Sequence, residues 1–178
     1  MSLVVEDGSI VQGAESYVTV AEFKDYCDLR GLSYSTLSTD TKIEQAARKA
    51  YDYLLQVYQD TWRGYRKSPE QTGDWPRVFV YLNSFTVDGN PVIVDDTTIP
   101  VAIKHAQFEL MLRSQTTDLL PDTSSRLESS ITVGPIKVDY ADSSANSKPK
   151  YNAIDALVNA YLVSSTINVG ITSTAVRS

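Results

Sequence analysis

The segment between residues 41 and 58 constrains the fold of this chain more than any other. Its nonpolar residues at intervals of three and four are Ile43, Ala47, Ala50, Leu54 and Val57. Because an α-helix completes a turn every 3.6 residues, this spacing places the five side chains on one face. The pattern predicts an amphipathic helix of about four to five turns, whose nonpolar face needs other helices to pack against.

Two pairs of residues mark the beginnings of helices. Thr19 and Glu22 have the spacing of a capping box, in which each side chain bonds a backbone N–H at the other position. Thr41 and Glu44 have the same spacing. Gly31 is a C-terminal stop signal, so we expect a first helix near residues 20–30 and a second near 41–58.

Two later segments are also predicted to be helical. One lies near residues 100–116, with Thr98 as its cap and Pro100 in the first turn, where proline is favoured. The other lies near 151–163 and has nonpolar residues at helical spacing. We expect four nonpolar side chains to be buried, namely Leu54 and Val57 of the second helix and Ala106 and Leu110 of the third.

The fold class expected from these patterns is mainly α, a small bundle of three to four helices. Residues 1–15 are predicted to form an extended arm and residues 164–178 an extended C-terminal tail. The helical domain, residues 16–163, is expected to include a long loop at 61–98 and a β-hairpin at 129–140, where nonpolar and polar residues alternate.

Turn residues predict two further pairs of short strands. Asp7-Gly8 is typical of a tight turn and lies between nonpolar residues of the arm, so we expect a small hairpin there. Within the long loop, residues 78–82 and 91–94 have strand-like composition and flank Asp88-Gly89.

The composition favours a protein without catalysis. The formal net charge is −6, and the basic residues are scattered apart from Arg63, Arg66 and Lys67, which argues against tight, nonspecific binding of nucleic acid through phosphates. Cys27 and His105 are the single cysteine and histidine, too few for a zinc cluster, although a nucleophilic Cys–His pair is conceivable. We expect no cofactor, no metal site, no enzyme activity and no membrane span.

The long loop carries the candidate interface of the helical domain. Its tryptophans and arginines allow three interpretations: a cap on the hydrophobic core, a protein interface, or a surface that stacks on nucleobases. The hairpin and the tail add β-branched and aromatic residues that are separated from the bundle. The candidate interface residues are Trp62, Arg63, Arg66, Trp75, Arg77, Ile131, Val133, Ile136, Val138, Tyr140, Ile167, Val169 and Ile171.

Several segments between residues 5 and 140 together resemble a phage and prophage family labelled DnaT-like. They are Val5-Glu6-Asp7-Gly8, Tyr17-Val18-Thr19-Val20-Ala21-Glu22, Tyr51-Asp52-Tyr53-Leu54, Gly64-Tyr65-Arg66, Trp75-Pro76-Arg77, Ile99-Pro100 and Val133-Gly134-Pro135-Ile136. Gly73-Asp74 departs from the family pattern, which has small nonpolar residues before the tryptophan.

The resemblance implies two functions from different classes. Members of the family also resemble head-to-tail adaptors of tailed-phage necks, and the first hypothesis is therefore a structural virion protein. This hypothesis implies that copies of the chain form a ring, a dodecamer. The ring would contact a portal protein on one side and a tail, tail-terminator or nozzle protein on the other. A passing contact with packaged DNA is also expected. The expected location is the virion neck, after synthesis in the bacterial cytoplasm. The alternative is a replication-associated protein that binds single-stranded DNA.

Overall fold

A computed structural model of the chain describes residues 2–87, 89–121, 130–133, 136–139 and 151–163. For residues 83–86, 130–133 and 136–139 it describes the backbone alone. The helices in the described part are α1 (Val20–Arg30), α2 (Asp40–Tyr58), α3 (Val101–Arg113) and α4 (Asn152–Val158), the last continued by a 3-10 helix at Asn159–Tyr161. The four predicted helices are therefore present, and the chain is a small, mainly α domain.

The core lies where α2 packs against α1 on one side and α3 on another, with α4 against α3. Leu54, Ala106 and Leu110 are fully buried, as predicted. The prediction for Val57 was wrong, because this side chain is only half-buried at the edge of the core. The inward position of the last turn belongs instead to Tyr58, whose hydroxyl donates to a carboxylate of α4. No helix in the described ranges is both long and nonpolar enough to cross a membrane.

The ends of α1 follow the sequence pattern. The backbone N–H of Glu22 donates to Thr19 Oγ1 over 3.1 Å, and the N–H of Thr19 donates to Glu22 Oε2 over 2.7 Å. Both bonds of the predicted capping box are thus formed. Gly31 ends the helix with a φ of 62°, a left-handed conformation that glycine adopts without a steric cost.

The starts of α2 and α3 differ from the prediction. The cap of α2 is Thr39, whose hydroxyl accepts the N–H three residues on, and Thr41 lies inside the helix. Two threonines occur two positions apart, and only Thr39 has the extended backbone of a cap. Thr98 does not cap α3, because the helix begins at Val101, Pro100 is the residue before it, and no side chain caps its first turn.

The described strands form three antiparallel pairs. They are β1 (Tyr65–Arg66) with β2 (Arg77–Val78), β3 (Tyr81–Val87) with β4 (Asn90–Ile93), and β5 (Ser130–Val133) with β6 (Ile136–Asp139). The second pair lies within the long loop, although β3 begins three residues later and ends five residues later than the strand expected at 78–82, and the third pair agrees with the expected hairpin. Thus, much of the long loop has regular structure of its own.

The N-terminal residues are folded against the domain, and the strands expected on either side of Asp7-Gly8 do not pair. Glu6 is buried instead, and its carboxylate accepts the backbone N–H groups of Gly8, Ile10 and Val11. The backbone of Gly8 also lies so close to the Thr97 carbonyl that no side chain fits between them. Buried carboxylates need such partners, and here they fix the arm in place. The predicted C-terminal tail, 164–178, lies outside the described residues.

Candidate functional site

The pairing of β1 with β2 folds the long loop back on itself. Tyr65 lies opposite Val78, and Arg66 lies opposite Arg77. The two chain segments approach closely at Gly64, where a Cβ atom would lie 2.1 Å from the carbonyl oxygen of Val78. The φ of Gly64 is +67°, so both its conformation and its contact require glycine.

Among the side chains of this loop that the structure describes, three aromatic ones are exposed. Tyr65 is 71% exposed, Phe79 63% and Tyr81 42%. They occupy neighbouring backbone positions, since Phe79 follows the β2 residue that pairs with Tyr65, and Tyr81 begins β3. We call these three residues the aromatic surface. Exposed aromatic residues this close along the backbone are candidates for contact with a partner.

The two tryptophans of the loop are buried in the core. Trp62 is 4% exposed and Trp75 is fully enclosed, with their ring centroids 5.7 Å apart in an edge-to-face arrangement. Trp75 makes a second such contact with Tyr161, at 5.6 Å. Of the three interpretations given to these tryptophans, the structure shows the core. Neither indole lies on the surface of the described chain, and any role at an interface remains a prediction.

Asp74 is the buried acid at the centre of the loop. One of its carboxylate oxygens, Oδ1, accepts from Arg66 Nε over 3.1 Å and from Arg66 Nη2 over 3.0 Å. The other oxygen, Oδ2, accepts from Trp62 Nε1 over 3.1 Å. Burial raises the pKa of Asp74, and the hydrogen bonds and charge of Arg66 oppose that shift.

Arg77 joins the two sides of the loop. Its guanidinium donates to three backbone carbonyls, those of Arg63, Gly64 and Asp74, over 2.8 to 3.2 Å. The residue is 7% exposed, and burial lowers its pKa, while the charge of Asp74 opposes the shift. A guanidinium whose donors already serve three carbonyls holds the fold together and is not available to a partner.

Arg63 connects the loop to the C-terminal helix. Its Nε donates to the carbonyl of Leu162 over 2.7 Å, and its Nη1 donates to the carbonyl of Tyr81 over 2.8 Å. The backbone N–H of Arg63 also donates to Tyr161. Arg63 is half-buried, and its Nη2 bonds no described residue, so one edge of the guanidinium remains available beside Tyr81.

The structure thus brings five of the predicted interface residues together, namely Trp62, Arg63, Arg66, Trp75 and Arg77. Ile131, Val133, Ile136 and Val138 lie on β5 and β6, where the backbone alone is described. Tyr140, Ile167, Val169 and Ile171 lie outside the described residues. The prediction omitted Asp74 and the aromatic surface, although Tyr65 stands between two arginines in the sequence.

Cys27 and His105 do not form a nucleophilic pair in the described chain. Cys27 is fully buried, and burial raises the pKa of its thiol to about 11. His105 packs its ring against Tyr26 and Phe108, with centroids 5.1 Å and 6.2 Å away. Since the thiolate is the reactive form of cysteine, a protonated buried thiol is unsuited to attack a substrate.

In the described part of the chain, a long loop presents exposed aromatic residues beside guanidinium groups, an arrangement that is typical of binding proteins. The family comparison narrows the class. Residues 1–178 match the model of a family described as "Putative DnaT-like ssDNA binding protein". The chain belongs to this DnaT-like family. No curated protein and no solved structure gave a significant match to the chain.

The family match corrects the first functional hypothesis. The family is described by single-stranded DNA binding, which agrees with the alternative and not with a head-to-tail adaptor. The prediction of a dodecameric ring with portal and tail partners was therefore wrong, and the match gives no support for a ring. The DnaT-like resemblance itself is confirmed, whereas the resemblance to neck adaptors is not. The expected location in a virion remains an untested prediction.

Proposed function

We propose that this protein binds single-stranded DNA on the aromatic surface, with Arg63 and Arg66 as the adjoining cations. The role is one of binding without catalysis, and the partners that follow from it are DNA and proteins of replication. Support comes from the family description and from the exposure of three rings in one loop.

Stacking explains why such a surface suits a single strand. The bases of a single strand are unpaired, and each presents a flat face that an aromatic ring can cover. In duplex DNA the same faces are stacked on one another and are not accessible to a side chain. Tyr65, Phe79 and Tyr81 therefore favour single strands over duplexes, with little dependence on base identity.

The two arginines supply positive charge next to the rings. Arg66 is exposed in β1 directly after Tyr65, and Arg63 contacts the backbone of Tyr81. Each guanidinium uses two nitrogens within the protein and keeps one without a partner in the described part of the chain. A phosphate group is a natural acceptor for such a nitrogen.

Phe79 is the observation that carries the proposal. Its ring is 63% exposed, and its φ is +59°, in the left-handed region that costs a non-glycine residue about 1–2 kcal/mol. Two unfavourable features, backbone strain and a solvated nonpolar ring, coincide at one position. Strain of this kind persists where the surrounding structure enforces it, and it clusters at functional sites. A base stacked on the ring would remove it from water.

The overall charge limits the affinity. With a net charge of −6, the protein repels a polyanion at long range, and this repulsion weakens as salt screens it. Local stacking has to offset the repulsion. We therefore expect modest affinity for single strands and a shallower loss of affinity with salt than in proteins that rely on many phosphate contacts.

Fluorescence anisotropy with a labelled oligothymidine tests the proposal. Phe79→Ala should weaken binding by about 5- to 150-fold, the range for losing one stacked base. Leu29→Ala is the matched control, because Leu29 is 85% exposed but lies on α1 away from the loop. A duplex of the same length should bind more weakly than the single strand.

Two outcomes would contradict the proposal. One is a wild-type protein that binds oligothymidine no better than the duplex. The other is an affinity that falls equally with Phe79→Ala and Leu29→Ala, since the loss would then not depend on the aromatic surface. Circular dichroism of each variant, recorded at the assay temperature, shows whether the domain is folded during the measurement.

A further inference from the structure

We propose that Asp74 is a positioning residue for phosphate binding: it holds the guanidinium of Arg66 so that its free nitrogen, Nη1, contacts a phosphate of the bound strand. This inference rests on the proposed function. It gives a buried acid a favourable role when the protein binds a polyanion. The prediction is unusual, because an acid close to a DNA site ordinarily weakens binding by repelling phosphates.

The hydrogen bonds divide the Arg66 guanidinium into two parts. Nε and Nη2 both donate to Asp74 Oδ1, over 3.1 Å and 3.0 Å. Nη1 bonds no residue in the described part of the chain, and the Arg66 side chain is 36% exposed. The side bound to Asp74 faces the protein, so the remaining nitrogen is left for a ligand. The planar guanidinium fixes the direction of its free donors once two nitrogens are held.

Asp74 is itself held firmly enough to act as an anchor. Its side chain is 2% exposed, and its second oxygen accepts the Trp62 indole N–H. Its backbone N–H donates to the hydroxyl of Tyr17 over 2.9 Å, which ties this part of the loop to the segment before α1. The carbonyl of Asp74 accepts from Arg77. Each of these partners is buried.

The benefit of the anchor is a smaller loss of side-chain freedom on binding. A free arginine has many rotamers, and fixing it against a phosphate costs conformational entropy that reduces affinity. Arg66 has already lost this freedom in the folded protein because Asp74 holds it. The cost is then part of folding, and the phosphate contact forms with little further ordering.

Substitution of Asp74 gives opposite predictions for positioning and for repulsion. Asp74→Asn removes a negative charge, so repulsion alone predicts tighter binding of oligothymidine. Positioning predicts weaker binding by roughly 2- to 12-fold, the range for ordering one long side chain on binding. Glu70→Gln is the matched control: Glu70 is an exposed acid of the same loop whose carboxylate bonds no described residue, and its substitution should leave affinity unchanged or slightly higher.

A double-mutant cycle tests whether Asp74 acts through Arg66. If it does, Asp74→Asn should have no further effect on affinity in the Arg66→Ala background. Arg66→Lys provides a second test that does not alter the buried acid. Lysine keeps the charge but lacks the planar fork, so we expect it to bind oligothymidine almost as weakly as Arg66→Ala.

The results separate failure of this inference from failure of the proposed function. If wild-type protein does not bind oligothymidine, or Phe79→Ala has no effect, the proposed function is wrong. If both behave as expected while Arg66→Lys binds as tightly as wild type, positioning by Asp74 is wrong and the site remains. Thermal melting identifies any Asp74→Asn protein that is unfolded, and in that case the Arg66→Lys result decides, since Arg66 lies at the surface.

Discussion

Gln107 is the position where one substitution should most clearly test the packing of the core. It lies on α3 with no exposed surface, and its side chain makes three hydrogen bonds. Oε1 accepts the backbone N–H of Tyr17 over 2.9 Å, while Nε2 donates to Ser16 Oγ over 2.9 Å and to the Ala47 carbonyl over 3.0 Å. One amide thus joins α3, α2 and the segment before α1.

Gln107→Leu keeps a similar volume and removes all three bonds. The N–H of Tyr17 then has no acceptor, and an unsatisfied buried donor costs about 1–3 kcal/mol. Ser16 Oγ is less affected, since it still bonds Val18. With the other lost bonds, and with leucine burial offsetting part of the loss, we expect the free energy of unfolding to fall by about 2–4 kcal/mol.

Thermal melting followed by circular dichroism measures this change. A loss of that size should lower the midpoint by about 4–16 °C in a domain of this length. Gln45→Leu is the control, because Gln45 is exposed on α2, and its midpoint should change little. If Gln107→Leu melts within 1 °C of wild type, the three bonds do not stabilise the fold.

Three further substitutions or reactions have clear expected outcomes. Gly64→Ala should lower the free energy of unfolding by about 2 kcal/mol or more and weaken oligothymidine binding, because a Cβ would meet the Val78 carbonyl. Urea titration measures the change in stability. Gly13→Ala is the control: its φ is +70° with open space around it, so it should lose only the stability that backbone strain costs. Thr19→Ala should cost about 1 kcal/mol by loss of the α1 cap, measured in the same way. Cys27, with a pKa of about 11, should not react with a thiol reagent at pH 8 until urea unfolds the protein.

The same raised pKa predicts how stability depends on alkaline pH. The thiol of Cys27 has a pKa of about 11 in the folded protein and an ordinary value of 9.0 when exposed. Between these values the folded state binds more protons than the unfolded state. Stability from this group is therefore present below pH 9 and is lost as the pH rises toward 11. Urea unfolding at pH 8 and pH 10 checks the sign, with Cys27→Ser as the comparison.

Local patterns predicted the helices because their signals are contained within each segment. The nonpolar face of α2 and the capping box at Thr19 need no knowledge of the rest of the chain. Val57 was the exception, because α4 supplies the partner of Tyr58 and so determines which side chain of the last turn faces inward. The choice between Thr39 and Thr41 likewise depended on backbone conformation that the pattern does not contain.

The site was harder to predict because it depends on contacts between distant residues. From its neighbours in the sequence, Asp74 cannot be distinguished from an ordinary loop acid. Its burial follows from bonds to Arg66 and to Tyr17, which is 57 positions away. The sequence does not show whether Phe79 or Val80 faces the core. In the structure Val80 is buried and packs near Gly64, whereas Phe79 is exposed.

The attachment of Arg63 to Leu162 has a consequence for the order of folding. The carbonyl that accepts from its Nε belongs to Leu162, 99 positions later, and Val163 bonds back to Thr61. While the protein is being synthesised, α1, α2 and the loop leave the ribosome long before these acceptors exist. Contacts across such separations form late, because a long stretch of chain has to be closed first. A nascent chain therefore carries α1 and α2 early and completes the surface beside Tyr81 only after Leu162 and Val163 have been synthesised.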